Sequence, residues 1–357
     1  MKIVFTIKGI TIIKAKFFIR RKLKIFMKKS KLLILSLILI STISPAQDIH
    51  FSQFYLSTAL LDPSDIGNYN GDHRGVVQYR DQWRSATIPY QTYAMAYDMR
   101  FKTKKVRNDF WGLGITAFND QAGDLKMGTS QANVGLGYHK ELIPDHFFSF
   151  GFQGGFRQYT INFDNAQWGS QYNGTKHDPA LPNGNNFYSS TFSVADFNGG
   201  VQWNYASEDR IKANAGLAVH HLNSPPSFFF DHVTKRNFRK VVAHASTEIE
   251  VTNTNTTYIP KVLVVLQGPS IEIIAGSLVR YQLGESSKYT GLKKESAIYL
   301  GGFYRYQDAL VIAMHYEYEN FGLGFSYDVN ILNLASANNG RNGFEVTLKI
   351  ISPFFKT

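Results

Sequence analysis

The sequence predicts an all-β fold, a transmembrane antiparallel β-barrel of about fourteen strands, on three observations. Beyond residue 46 no apolar run reaches the roughly 20 residues that a spanning helix requires. Aromatic residues make up 15% of the chain, led by 28 Phe and 20 Tyr, which is enough to girdle a barrel at both membrane interfaces. Segments of about ten residues alternate apolar and polar positions between turn residues, as a strand does with lipid on one face and a lumen on the other. Lipid offers no partner to a free backbone N–H or C=O, so without spanning helices the sheet has to close on itself.

The first element is a leader. Residues 1–47 hold eleven of the 38 basic residues and no acidic one, so 27 basic residues remain against 27 acidic. The formal charge of +11 therefore belongs to the leader, and the neutral body lacks the Lys/Arg footprint with which a protein displaces counterions from nucleic acid. Leu32–Ile40 is apolar, Ser41 and Thr42 are polar, and Ser44 and Ala46 put small residues at −3 and −1 of a cut after Ala46. That is the pattern of a cleaved secretory signal peptide over 1–46, with an apolar run too short for an anchor. Met27 opens a compact version of it and is the expected translation start. The chain has no cysteine, so neither disulfides nor thiolate chemistry are available.

Residues 47–71 do not alternate and contain the loop signals Asp62-Pro63 and Gly67, so a periplasmic or lumen-entering segment is expected there, with the barrel over 72–357. Strands are expected at roughly 74–83, 90–101, 110–119, 127–139, 146–163, 190–205 and 210–222, then 238–251, 257–267, 270–282, 295–306, 309–319, 320–331 and 341–354. In the fourth, Ala132, Val134, Leu136 and Tyr138 share one face while Gln131, Asn133, Gly135, Gly137 and His139 share the other. In the fifth, Phe148, Phe150, Phe152 and Phe156 oppose Ser149, Gly151, Gln153 and Arg157. The polar face is crowded with Gly, Asn, Gln and Ser and carries few charges, which suits a confined lumen better than bulk water. With both termini periplasmic, the long segments 164–189, 223–237 and 332–340 fall outside the cell, while 283–294 is a fairly long loop on the periplasmic side.

Candidate chemistry is sparse. His220-His221 resembles a metal pair, but neighbours on a strand face opposite ways, and the two are expected as a strand end entering a loop. His177-Asp178 in the 164–189 loop has no accompanying nucleophile or second carboxylate, so catalysis is not expected there. Asn119, Asp120, Asp124 and Asp164 have calcium-type oxygens and are expected as solvated loop residues. Gly112-Leu113-Gly114, Gly135-Leu136-Gly137 and Gly322-Leu323-Gly324 lie inside alternating strands, where glycine relieves crowding on the inner face. No catalytic, cofactor or metal residue is assigned, and the aromatic tip Phe228-Phe229-Phe230 of the 223–237 loop is the candidate contact surface.

Several segments in series resemble the PorP/SprF family of type IX secretion system membrane proteins. They are Asp48-Ile49-His50-Phe51-Ser52-Gln53-Phe54-Tyr55, Asp62-Pro63, Tyr79-Arg80-Asp81-Gln82-Trp83 and Phe118-Asn119-Asp120 with Ala122-Gly123. Val219-His220-His221-Leu222 and Asp308-Ala309-Leu310 follow, leading to Asn320-Phe321-Gly322-Leu323-Gly324-Phe325-Ser326-Tyr327-Asp328-Val329. The family usually has Asn-Pro where this chain has Asp62-Pro63. The resemblance implies a Bacteroidota outer-membrane barrel, not an enzyme and without cofactors. It also implies a role in export and surface anchoring of type IX cargo, including the large adhesins of gliding motility. Implied partners are the cargo's C-terminal sorting domain and periplasmic components of the machine. A passive porin or small-solute transporter is the alternative reading.

Overall fold

The computed structural model describes residues 48–352, apart from 86–87, 103–107, 164–165, 167, 183–189, 208–209, 227–235, 285–294 and 332–340. Fourteen strands form one closed antiparallel barrel in which every strand pairs with its sequence neighbours and the last pairs with the first. The first seven are β1 (His73–Gln82), β2 (Tyr90–Lys102), β3 (Phe110–Ala122), β4 (Met127–Ile143), β5 (His146–Thr160), β6 (Thr191–Ala206) and β7 (Ile211–His220). Then come β8 (Lys240–Glu250), β9 (Thr256–Gln267), β10 (Ser270–Gly284), β11 (Ser296–Arg305), β12 (Ala309–Tyr318), β13 (Phe321–Asn330) and β14 (Arg341–Ser352). All fourteen expected strands are present, each end within about four residues of its expected place. No helix of the described residues is long and apolar enough to cross a membrane.

Closure runs from His73 opposite Ser352 to Gln82 opposite Gly343, which leaves no sheet edge to be satisfied by lipid. Alternation then decides which side chains meet lipid. On β4 and β5, Val134, Leu136, Phe150, Phe152 and Phe156 are exposed on the outer surface, whereas Gln131, Asn133, His139, Ser149, Gln153 and Arg157 are buried inside. β10 stops and β11 starts at the end where β1 begins and β14 stops, and a bulge between Gln282 and Gly284 shifts their register. The longest connections, 161–190 and 221–239, lie at the other end, so that end faces outside the cell and the termini end faces the periplasm.

The inner face is not polar all round, and here the structure differs from the expectation. Ala218, Val242, Ile259, Leu263, Val265, Ile274, Leu278, Phe303, Val311 and Ala313, from β7 to β12, form one buried apolar cluster. β9 and β10 are apolar on both faces because one meets lipid and the other packs inside, the condition that produces near-continuous apolar strands.

What packs inside is the chain itself. Residues 48–72 run through the lumen as a lead stretch, a helical turn α1 (Thr58–Leu61) and a 3-10 turn at Pro63–Asp65. Asp48 lies beside Gln267 at the outer end, its N–H donating to Gln267 Oε1 at 3.0 Å, and Asp72 N–H donates to Ser352 O (3.1 Å) at the periplasmic end. The segment thus threads the barrel from outside to inside before β1 starts. Phe54 joins the apolar cluster, edge-on to Phe303 at 5.9 Å between ring centroids.

The lipid-facing assignment of β4 is open to direct test. Leu136→Arg, near the middle of that strand, should cost about 2–4 kcal/mol in reversible urea unfolding from lipid bilayers. Lys140→Arg, near the periplasmic end of the same strand, should cost far less. Equal effects would refute the placement.

Candidate functional site in the filled lumen

The segment is held at its outer end by charge. Strand β1 sends Arg74, Val76, Gln78 and Arg80 inward, so Arg80 reaches the lumen near the outer mouth. There Glu345 of β14 accepts the backbone N–H groups of Ser52 (2.6 Å) and Gln53 (2.8 Å), one on each oxygen. Ser52 Oγ donates to Asp328 of β13 at 2.8 Å. Arg80 ties the two carboxylates together, pairing with Glu345 and lying 3.2 Å from Asp328. Arg305 of β11 adds contacts to Asp328 (3.0 Å), Asp308 (2.9 Å) and Glu272 (3.5 Å). Ser52 and Gln53 are fully buried, and charges taken out of water this completely persist only when paired and hydrogen-bonded. Arg80 Nη2 also donates to His50 Nε2 at 3.1 Å. His50 Nε2 is the acceptor of that bond, since a guanidinium can only donate.

A second group of charges holds the first described residue. Asp48 lies 2.9 Å from Arg157 and 2.6 Å from His221 Nε2, while His221 Nδ1 faces Asp196 at 2.8 Å. Burial opposes ionisation of Asp48, but Arg157 above all, with His221 and Lys240, keeps its carboxyl well below the usual range. Burial likewise opposes a charge on His221, and the hydrogen bonds to Asp196 and Asp48 outweigh it, so its pKa is raised.

This corrects the expectation that His220 and His221 face opposite ways. His221 has φ +58°, a left-handed backbone that ends β7 and swings its ring inward beside that of His220. His220 Nε2–H donates to Leu61 O at 2.9 Å. Both rings hold the segment.

The lower part sits in a groove of glycines. A Cβ at Gly112 or Gly137 would collide with Ile66 O, one at Gly151 with Pro63, one at Gly200 with Asp62 and one at Gly324 with Gln53. These inner-face glycines are space for a second backbone. Asp62 is buried and caps the 3-10 turn, its Oδ1 accepting from Ser64 N (2.8 Å) and Ser64 Oγ (2.6 Å) and its Oδ2 from His244 Nε2–H (3.0 Å). His139 Nε2–H donates to Ile66 O at 2.8 Å. Arg74 bridges Asp65 (3.0 Å) and Asp98 (2.8 Å), and Asp98 accepts Gly67 N–H at 2.7 Å.

The other sequence candidates are not brought together. His177 bonds Gln171 Oε1 at 3.2 Å, and Asp178 Oδ1 accepts Ala180 N–H at 3.0 Å, so both shape their own loop. Asp120 takes the Thr92 hydroxyl at 2.6 Å while Asn119 donates to Ser130 at 2.7 Å on the other face, and Asp164 lies outside the described residues. Among the described residues no group of three or more His, Cys, Asp or Glu is placed to hold a metal. Phe228, Phe229 and Phe230 also lie outside the described residues. The seat of the segment was missed in the sequence, although inner-face glycines aligned across β3, β4, β5 and β6 were a signal for it.

A family model described as the type IX secretion system membrane protein PorP/SprF matches residues 43–350. No curated protein matches the chain in sequence. Among solved structures the chain is similar to a Pseudomonas aeruginosa FadL homologue, at 10% identity and a TM-score of 0.42, over 82% of this chain and 93% of that one. It is also similar to BamA from Haemophilus ducreyi lacking POTRA domains 1–3, at 10% identity and a TM-score of 0.41, over 79% and 71% of the two chains.

Two tests follow from the seat. In the cysteine-free chain, Ile49→Cys should resist a water-soluble maleimide, and adding Arg80→Ala should expose it. That change leaves Glu345 buried without its cation and Asp328 with Arg305 alone, at a cost of about 3–5 kcal/mol. Equal labelling with and without Arg80 would refute the charge node. The second test is of pH. A raised folded-state pKa at His221 stabilises fully below its unfolded value and is lost as pH rises through the folded one, whereas Asp48 contributes until strong acid. Chymotryptic cleavage at Phe51–Tyr55 should therefore be slower, relative to a free peptide, at about pH 6 than at about pH 9. His221→Asn should abolish the difference; persistence of the difference would assign it elsewhere.

Proposed function

The chain belongs to the PorP/SprF family of type IX secretion system membrane proteins, and from that membership we propose that it is an accessory outer-membrane barrel that assists export and surface anchoring of type IX cargo. Its place in the outer membrane follows from the closed barrel and the family. The observation that favours this reading over a porin is the lumen obstructed by residues 48–72: a diffusion channel needs a continuous water path, and here charge, glycine groove and apolar packing interrupt it.

In this reading the cargo's C-terminal sorting domain is held at the outer mouth by the loops within 161–190, 221–239 and 331–340, with Phe228, Phe229 and Phe230 as contact residues. Periplasmic components of the machine meet the termini end. Leader removal after Ala46 frees the N-terminus, which the threading supports: a chain tethered to the inner membrane just ahead of Asp48 would have to pass back through a filled lumen. The barrel carries no chemistry of its own.

Two measurements decide between the readings. The mature barrel in planar bilayers should be electrically silent, and mild-detergent pull-down from outer membranes should recover proteins bearing a type IX sorting domain or machine components. Steady open-channel current together with an empty pull-down would replace the secretion reading with the porin. Replacing Phe228, Phe229 and Phe230 with Ser should reduce cargo recovery several-fold while leaving the bilayer record silent; full recovery would remove the aromatic tip from the contact.

A further inference from the structure

Below the apolar cluster the lumen is not full. Residues 66–70 lean on β1 to β4, with Tyr69 OH donating to Asp98 O at 2.8 Å, and the opposite side of the barrel stays open. Two adjoining cavities of about 420 and 210 Å³ lie there, and Lys349 of β14 lines both. Phe54, Tyr55 and Leu61 line the upper part of the smaller one and belong to the apolar cluster or pack against it. The chamber is therefore blind towards the outside, and its rim, at Glu295, Glu319, Asn320 and Ile351, faces the periplasm. Its size falls in the range of about 300–1,000 Å³ typical of ligand sites.

The charges inside are unequally satisfied. Arg280 is paired with Glu295 at 3.2 Å and donates to Tyr299 OH at 3.1 Å. Both oxygens of Glu317 are taken, one by Tyr299 OH (2.6 Å) and one by His315 Nε2 (3.1 Å). Lys349 lies level with Glu317 across Gly322, which has no side chain to bridge the gap, and it makes no hydrogen bond or ion pair with a described residue. Lys261 of β9 has one hydrogen bond, to Ser246 Oγ at 2.9 Å, and its ammonium lies 5.5 Å from the centroid of the Tyr55 ring. Two ammonium groups with donors to spare thus face one polar chamber, near the carboxylates of Glu317 and Glu248 but not hydrogen-bonded to them. Amide side chains at Asn70, Gln202 and Asn214 complete walls suited to a peptide backbone.

We infer that this periplasm-open chamber binds a peptide segment whose carboxylate pairs with Lys349 and Lys261. The exposed carboxylate of Glu319 at the rim repels a small anion held at the mouth. It favours a segment long enough to carry its charge past the rim to the level of the lysines. The inference deepens the secretion reading, in which periplasmic proteins meet this end of the barrel.

The test uses the mature barrel in detergent and a fluorescein-labelled peptide of alternating glutamate and glycine. Anisotropy should rise saturably with barrel concentration, and Lys349→Gln and Lys261→Gln should each weaken binding by about tenfold, through loss of a charge-assisted hydrogen bond. Arg239→Gln, at the outer end, should leave it unchanged. Maleimide protection of Ile49→Cys reports that each variant keeps its lumen segment seated. Equal binding by wild type and the double lysine variant overturns the inference, as does equal binding of an alternating lysine and glycine peptide. Displacement of the glutamate peptide by inorganic phosphate at equal charge would also overturn it, by reassigning the lysines to a small anion. An empty cargo pull-down with lysine-dependent peptide binding intact would sink the secretion reading alone.

Discussion

The carboxylate of Glu345 receiving the backbone N–H groups of Ser52 and Gln53, with Arg80 locking it to Asp328, is the interaction on which the interior depends. It joins the lumen segment to β14, β13 and β1, the strands on either side of the seam where the barrel closes. Each partner alone would be an unpaired charge in a water-poor interior. Together they form a network whose removal piece by piece costs more than its presence gains.

The rest of the lumen divides around that node. From β13 through β6 the wall is polar and glycine-rich and takes up the backbone of the segment through side chains such as Asp98, His139 and Gln153, the last donating to Ala59 O at 3.1 Å. From β7 to β12 it carries the apolar cluster, against which Phe54, Tyr55 and Leu61 pack, while His220, His244 and Arg305 add polar contacts to Leu61, Asp62 and Ser52. Hydrogen bonds fix the register of the segment on one side, and burial excludes water on the other. A barrel built in this way is sealed near its outer end and hollow near its inner one.

That asymmetry gives a physical reason for separating the two ends in function. Towards the outer end, among the described residues, the charge node and the apolar cluster close the lumen around the segment. The inner end offers a blind chamber with spare cationic donors, which suits a docked segment rather than a passing solute. The charged groups of the outer node are spent on one another, Arg80 and Arg305 on Glu345, Asp328 and Glu272.

The alternation of Phe148, Phe150, Phe152 and Phe156 with Ser149, Gly151, Gln153 and Arg157 was sufficient to place β5 and its faces, because a two-residue period and the absence of free backbone partners in lipid leave one solution. The same argument determined the strand count, the outer surface and the even closure. It did not determine what fills the inside. Ser52, Arg80, Asp328 and Glu345 are separated by up to 293 residues, and no local pattern says that an inward Arg on the first strand will meet an inward Glu on the last. His221 turned inward through a backbone angle that strand periodicity does not encode, and Gly112, Gly137 and Gly200 proved to be a seat only once residues 62–67 lay against them. Periodicity is local and belongs to the sequence; the meeting of distant side chains in a closed lumen was decided by the tertiary structure, because closure alone sets which inner faces confront each other.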